Sequence, residues 1–354
     1  MATTKKKKTS KKKWKSSGPK KTSKELVEGV TKGIIDALQD VIDGKSAAPP
    51  WVRPWKTSGI GGLPYNGASK RPYHGGNIML LFVSGYGDAR WYSFDQAKQA
   101  AGYRRNPEWK GKADTFKGIK KWVWTGEGED PGYGVKKGER GTKILFWKST
   151  KYKKTVTDSA GNESEEEAQG MYARLHTVFN HEQCNMPVDP TVVVEEVEPS
   201  EAEAQLNSEL DAISDRLELK GGLHHGGDRA YYRPSEDTIR LPKQDAFKSH
   251  GDYAATRAHE CVHATGADHR LDRKFGKRFG DNAYAAEELV AEMGAAFVCA
   301  TIGVDGQLQH TEYLASWIKV LKEDPYALLT AAREGEKAMN LLLGTAEAAT
   351  EEAA

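Results

Sequence analysis

A chain of 354 residues has room for about two domains at the usual ~100–200 residues each. Only 38% of it is apolar, no window nears the ~18 apolar residues of a membrane span, and the charged N-terminus has no apolar run behind it, which argues against a spanning helix and a secretory leader. The three cysteines, Cys184, Cys261 and Cys299, are odd in number and widely spaced, which argues against a disulfide framework and for a reducing cytoplasm; the net charge of +2 is unevenly spread.

Residues 1–24 carry eleven lysines and no acid, leaving −9 for the rest. Such a block repels itself and buries nothing, so it is expected to be a disordered tail, drawn to nucleic acid by counterion release or serving only solubility or localisation. From Glu25 to Ile42, Leu26, Val30, Ile34, Leu38 and Val41 recur three and four apart, which predicts one amphipathic helix ended by Gly44 and Pro49-Pro50. An aromatic and proline cluster, Trp51 to Trp55, and a glycine-rich turn follow. Residues 73–83 read as a loop leading into a buried element, 91–94 as a short strand or loop, and 95–101 as a helix. Residues 135–148 read as a turn and strand, 149–169 as a polar hairpin tip or disordered loop, and Tyr172 to Asn180 as a returning strand, so this half is α+β. The acidic stretch 187–204 reads as a linker. A helix is expected from about Ala204 to Leu217, then His224 and His225 in a loop, then a turn-bounded strand in Asp237–Pro242. From Tyr253 almost to Leu343 the pattern is helical, with breaks near 266–280, 303–306 and Asp324-Pro325, before an Ala/Glu tail at 345–354.

The chemistry concentrates in His259-Glu260-Cys261-Val262-His263. Two histidines four apart on a helix share one face, as two ligands of one Zn²⁺ require, and Glu260 beside the first can act as general base toward a water attacking a carbonyl. The apolar flanks Ala254, Ala255, Ala258, Val262 and Ala264 place this face inside, where imidazoles need partners. For the third ligand, His269 completes the spacing His-Glu-x-x-His-x-x-Gly-x-x-His, with Gly266 as the turn. Glu288 competes from a second apolar helix, Tyr284–Thr301, and is favoured, because a carboxylate among Leu289, Val290, Met293 and Phe297 is costly without a cation. Glu292, one turn on, is expected to orient a ligand histidine or to replace Glu288 as ligand, and Glu287 to lie on a solvated face.

The run Ala258–Arg273, the run Tyr284–Phe297 and Tyr313–Leu321 resemble the metallopeptidase domain of ArdC-type antirestriction proteins, which is similar to that of polyvalent proteins of plasmids and phages. Pro50–Trp55, Tyr73–Ile78, Arg90–Lys98, Lys137–Thr142 and Phe146–Lys148 resemble the single-stranded DNA-binding domain of the same family. The resemblance covers about residues 25–343 in one order; residues 104–134 look like an insertion. It implies an α+β single-stranded DNA-binding domain over 25–186, a linker over 187–204 and, over 205–344, a mainly helical zincin-like metallopeptidase domain with a small sheet. It also implies an acidic ligand on the helix after the motif, which ranks Glu288 above His269: metal ligands His259, His263 and Glu288, catalytic Glu260, and one Zn²⁺ per chain with other divalent metals left open.

Single-strand binding needs cations for phosphates and aromatic faces for bases. The N-terminal candidates are Trp51, Arg53, Trp55, Arg71, Tyr73, Arg90, Trp91, Lys98, Lys137, Arg140, Lys143 and Lys148, with Trp147 beside them and Phe94 and Phe146 expected in the core. The implied function is protection of phage or plasmid DNA from host defence in the bacterial cytoplasm. The implied partners are single-stranded DNA, with double-stranded DNA left open, and a host protein as peptidase substrate, with no membrane. The alternative is a DNA-coating or replication-accessory protein whose metal site is structural. Tyr232 and the strand Asp237–Leu241 are placed either beside the cleft, aligning substrate by strand addition, or in an ordinary core.

Overall fold

The computed structural model describes residues 22–51, 62–111, 115–116, 118–157, 163–187, 199–275, 282–304 and 313–345. The lysine-rich tail up to residue 21, Arg53, Trp55, the stretch 188–198 and the C-terminal tail from residue 346 lie outside them. Helix α1 (Ser23–Ile42) opens on a capping box, with the Thr22 hydroxyl accepting from Glu25 N and the Glu25 carboxylate accepting from Thr22 N. Helix α2 (Gly76–Phe82) is buried from Ile78 onward, which is why its sequence shows no polar stripe.

Strand β1 (Tyr65–Asn66) runs parallel to β2 (Arg90–Tyr92), and α3 (Phe94–Ala100) follows a second capping box at Ser93 and Gln96. The 104–134 region folds as short pairings, β3 (Tyr103–Arg105) with β6 (Trp122–Trp124) and β4 (Thr115–Phe116) with β5 (Ile119–Lys120). Tyr103 and Trp122 pack with Ala101 of the α3 C-terminus. Strand β7 (Gly134–Val135) pairs with β10 (Cys184–Asn185). Strands β8 (Thr142–Thr157) and β9 (Glu163–Asn180) form a long antiparallel ribbon, completing a four-stranded sheet ordered β1-β2-β9-β8. The stretch 149–169 is therefore a continuation of both strands as far as Thr157 and Glu163.

Helix α4 (Pro199–Asp215) begins five residues before the expected Ala204, so the end of the proposed linker is helical. A three-stranded sheet follows: β11 (Gly222–His225), β12 (Tyr231–Arg233) and β13 (Thr238–Leu241), with β13 in the centre, parallel to β11 and antiparallel to β12. His224 and His225 are thus strand residues, held by Gly221 O and the Tyr253 hydroxyl. Helices α5 (His250–Thr265), α6 (Ala283–Thr301), α7 (Leu314–Glu323) and α8 (Ala327–Leu343) complete the α+β architecture.

The two halves share their main core. Ile34 and Leu38 of α1 and Ile78, Met79 and Phe82 of α2 pack with α4–α8. Phe82 meets Phe297 edge-on at 5.7 Å, Trp51 lies 5.6 Å from Trp317, and the Thr31 hydroxyl donates to Pro325 O at 2.7 Å. The α1 stripe is thus buried largely by the C-terminal helices. Among the described residues no helix is long and apolar enough to cross a membrane.

Candidate metal centre

Helix α5 is capped by Ser249, whose hydroxyl accepts from Asp252 N at 3.0 Å, and its small residues Ala254, Ala255 and Ala258 let neighbouring elements approach. Arg257 ties it to α4 through Asp211 (2.8 Å) and Ser214 (3.0 Å). Where α5, α6 and α8 cross, Gly294 and Gly335 lie backbone to backbone: a Cβ on Gly294 would stand 2.9 Å from Val262 and 3.4 Å from the Gly335 Cα. This close crossing sets the gap between the α5 and α6 side chains.

Into that gap project His259 and His263 from α5 and Glu288 from α6, with one ligand atom of each within 4.8 Å of the others. The two Nε2 atoms are 3.1 Å apart; Glu288 Oε2 is 3.5 Å from His259 Nε2, and Oε1 is 3.6 Å from His263 Nε2. Ligand bonds of the length zinc makes to nitrogen and oxygen, in tetrahedral geometry, imply ligand–ligand edges of about 3.4 Å, so the donor set fits a small divalent cation. The far nitrogens face carboxylates as well: His259 Nδ1 lies 3.5 Å from Glu292 and His263 Nδ1 lies 3.4 Å from Glu287. Each imidazole therefore sits between an outer carboxylate and the shared point.

The electrostatics agree with that reading. Burial lowers the His263 pKa, but Glu287 and Glu288 outweigh it and push it up to about 10. Burial likewise opposes charge on His259, and Glu288 and Glu292 again win, raising it. Glu288, despite a burial penalty, is held well below the usual carboxylate range by the two histidines. The carboxylates thus demand local positive charge, supplied by protons on the rings or by a cation at their convergence.

Glu260 is buried and lines the same cavity, of about 620 Å³, whose walls also include Tyr231, Tyr232, Phe275, Tyr284 and Tyr313. The Tyr284 and Tyr313 hydroxyls are 3.0 Å apart. Partial burial, Tyr313 and Glu288 together push the Tyr284 phenol above its usual value, so it stays a donor. Neither tyrosine was singled out as functional in the sequence; only the fold brings them to the cavity.

One expectation changes here, and two open alternatives narrow. Glu287 is not on a solvated face: it is an ion-pair partner of Arg273 at 2.6 Å and backs His263, because the α5–α6 connection folds Arg273 over this end of α6. His269 faces Asp268 and Asp237 instead of the cluster. Its neighbour Arg270 grips Asp237 at 2.9 and 3.0 Å, which anchors the turn away from the two Nε2 atoms. Strand β13 is flanked on both sides, so among the described strands it cannot add a peptide strand; β12, which supplies Tyr231 and Tyr232 to the cavity, lies at the margin of its sheet.

The nucleic-acid candidates disperse. Trp91 is 1% and Trp51 2% exposed, so neither can stack a base without unpacking the core, and Arg90 is buried in an ion pair with Asp88 at 2.7 Å. Those three leave the candidate surface. Lys98 lies half-buried over the Tyr103 ring at 4.2 Å and donates to Tyr133 O, and Tyr73 is half-buried against the Trp91 cluster. Arg71, Lys137, Arg140, Lys143 and Lys148 are exposed, the last four on β8 or the turn leading into it. Phe94 and Phe146, expected in the core, are 38% and 52% exposed, because Trp91 and Ile144 fill the interior beneath the sheet instead.

The family model for the N-terminal domain of anti-restriction factor ArdC matches residues 24–179, and that for a zincin-like metallopeptidase matches 209–334. An uncharacterized protein, y4eC, of Sinorhizobium fredii is 31% identical over 323 residues, covering 89% of this chain and 91% of that protein. DNA primase TraC of Escherichia coli is also 31% identical over 330 residues, but the chain spans only 27% of that primase. Crystal structures of the antirestriction ArdC protein from the R388 plasmid superimpose with TM-scores of 0.58 (metal-free) and 0.57 (Mn(II)-bound). Their identities are 27% and 28%, and each covers over nine-tenths of both chains.

Proposed function

The chain belongs to the ArdC-type antirestriction family, with an ArdC N-terminal domain and a zincin-like metallopeptidase domain, and on that premise we propose that it is a metal-dependent peptidase that also binds single-stranded DNA, protecting mobile DNA from host defence in the bacterial cytoplasm. The observation that carries the peptidase reading is the three-edged donor set of His259, His263 and Glu288 with Glu260 on the same cavity wall. The Mn(II)-bound R388 structure supports a divalent ion, and the zinc-like donor set favours Zn²⁺.

When bound, such an ion supplies Lewis acidity to a carbonyl and acidifies water. The protein's own groups do the rest. Glu287 accepts from the Nδ1–H of His263 and Glu292 faces Nδ1 of His259 at 3.5 Å, so both carboxylates favour the tautomer whose Nε2 lone pairs converge. Glu260 accepts the proton of the attacking water and delivers it to the leaving amine. Tyr284, kept protonated, donates to developing negative charge at the cavity mouth. The margin of β12 offers backbone groups along which an extended peptide can lie.

The DNA arm of the proposal rests on the ArdC N-terminal match and on the exposed cations of β8 and its turn. The TraC similarity supports a second reading, a replication-accessory protein whose metal site is structural. Glu260→Gln separates them. Under the peptidase reading it retains metal and loses hydrolysis of any peptide the wild type cleaves by about 10²–10⁴-fold, and loses restriction protection with it. Full protection with hydrolysis abolished would establish the coating reading.

A further inference from the structure

The β8–β9 ribbon carries a surface that neither the metal centre nor the core accounts for. Its register fixes which side chains share a face: Ile144, Phe146, Lys148 and Tyr152 of β8 lie opposite His176, Arg174, Tyr172 and Ala168 of β9. The ribbon is fastened to the body on both faces at its base. Ile144 and Val178 pack against Leu81 and Trp91, while Leu145 and Ala173 on the opposite face pack against Val27 and Leu80. Beyond Ile144 the first face leaves the body. There Phe146 is 52% and Tyr152 50% exposed, and Lys148, Arg174 and His176 are exposed with them.

The arrangement on that face is a ladder of rings and cations. Phe146 and His176 meet edge-on at 5.2 Å, and the Arg174 guanidinium lies over the Tyr172 ring at 5.1 Å, across from Lys148. Successive rungs are about 6.8 Å apart, twice the rise of an antiparallel strand. Charge divides along the ribbon. The basal part, residues 143–152 and 168–177, holds no acid and four cations, Lys148 and Arg174 on this face and Lys143 and Lys151 on the opposite one, whereas the acids Glu163, Glu165, Glu166 and Glu167 belong to the far end. There Lys153 is taken up by Glu165 at 2.6 Å. An exposed phenylalanine costs solubility and contributes nothing to the core, so its place in a basic ladder calls for a ligand with flat apolar faces and negative charge.

We propose that this face of the ribbon is the track on which single-stranded DNA binds, with Phe146, Tyr152 and Tyr172 stacking bases and Lys148 and Arg174 meeting phosphates. The assignment rests on the single-strand-binding reading above and deepens it: the track replaces the buried Trp51, Trp91 and Arg90 as the contact surface. His176 shares the face as a packing neighbour of Phe146.

The test is fluorescence anisotropy of the full chain with a labelled oligothymidylate, at several salt concentrations. Variants are Phe146→Ala, Tyr152→Ala and Arg174→Gln, with Met171→Ala, exposed on the opposite face, as control; circular dichroism and metal content report folding. Each aromatic truncation is expected to weaken binding by about tenfold or more. Arg174→Gln is expected to lower the salt slope by about 0.7, and Met171→Ala to leave binding as in the wild type. Wild-type binding that persists undiminished in the folded ladder variants overturns the track and leaves single-strand binding standing. A wild type that binds no oligothymidylate overturns both.

Discussion

The α5–α6 crossing and the β8–β9 ribbon place charge in opposite environments. At the crossing, two histidines and three glutamates are buried or nearly so, and the ring nitrogens face carboxylates at 3.4–3.6 Å. On the ladder face of the ribbon, Phe146 and Arg174 are exposed and meet rings of the neighbouring rung at 5.1–5.2 Å. Buried charge without a countercharge is expensive, so the first region tolerates few substitutions and its chemistry is confined to one point. Solvated charge is cheap, so the second spreads its chemistry along a surface and each residue matters less. A metal ion suits the former and a long polyanion the latter.

The comparison breaks most readily at the ligands. Glu288→Ala is expected to weaken metal affinity by more than the ~10–100-fold typical of an outer partner, whereas His269→Ala leaves affinity unchanged. Competition with a chelating dye measures both, and affinity lost on His269→Ala would return the third ligand to the Gly266–His269 turn. Next in size is Trp91→Ala. A Trp this deeply buried should cost about 3–5 kcal/mol of stability, read by denaturant unfolding. A variant that stays as stable as the wild type yet loses DNA would make Trp91 a contact after all.

The outer carboxylates sharpen the contrast within the metal region. Glu292→Gln and Glu287→Gln should each reduce metal affinity about 10–100-fold while the ligands remain. Equal affinity in Glu287→Gln would reduce that residue to an ion-pair partner of Arg273. The smallest expected effect lies behind the site. Gly294→Ala places a methyl 2.9 Å from Val262 where helices cross, and should cost about 1–3 kcal/mol by overpacking, seen as a lower thermal midpoint with metal stoichiometry kept.

Much of the histidine–glutamate cluster was legible in the sequence because its signals are local. Two histidines four apart on an apolar stretch share a face in any α-helix, and Glu288 and Glu292 share one for the same reason. The α1 stripe and the basal parts of the strand pair were equally readable from periodicity, whereas the polar stretch 149–169, which continues both strands, was not. What resisted reading was partnership over distance. Glu287 looks like any acid on a helix until the chain returns Arg273 to it, and Tyr284 and Tyr313 are 29 residues apart until α6 and α7 bring their hydroxyls together.

The sequence by itself determined the main helices, the pairing of His259 and His263 on one helix face, the α6 carboxylates and the family, because each depends on spacing within one element or on a motif in one run. Only the tertiary structure decided which aromatics are core, which carboxylate backs which histidine, and that α1 and α2 share a core with the metallopeptidase helices. Trp91 and Phe146 are both aromatic residues on short-range strand patterns; one faces Leu81 and the other water. Burial is a property of what packs against a residue, and for these residues that neighbour comes from a different element of the chain.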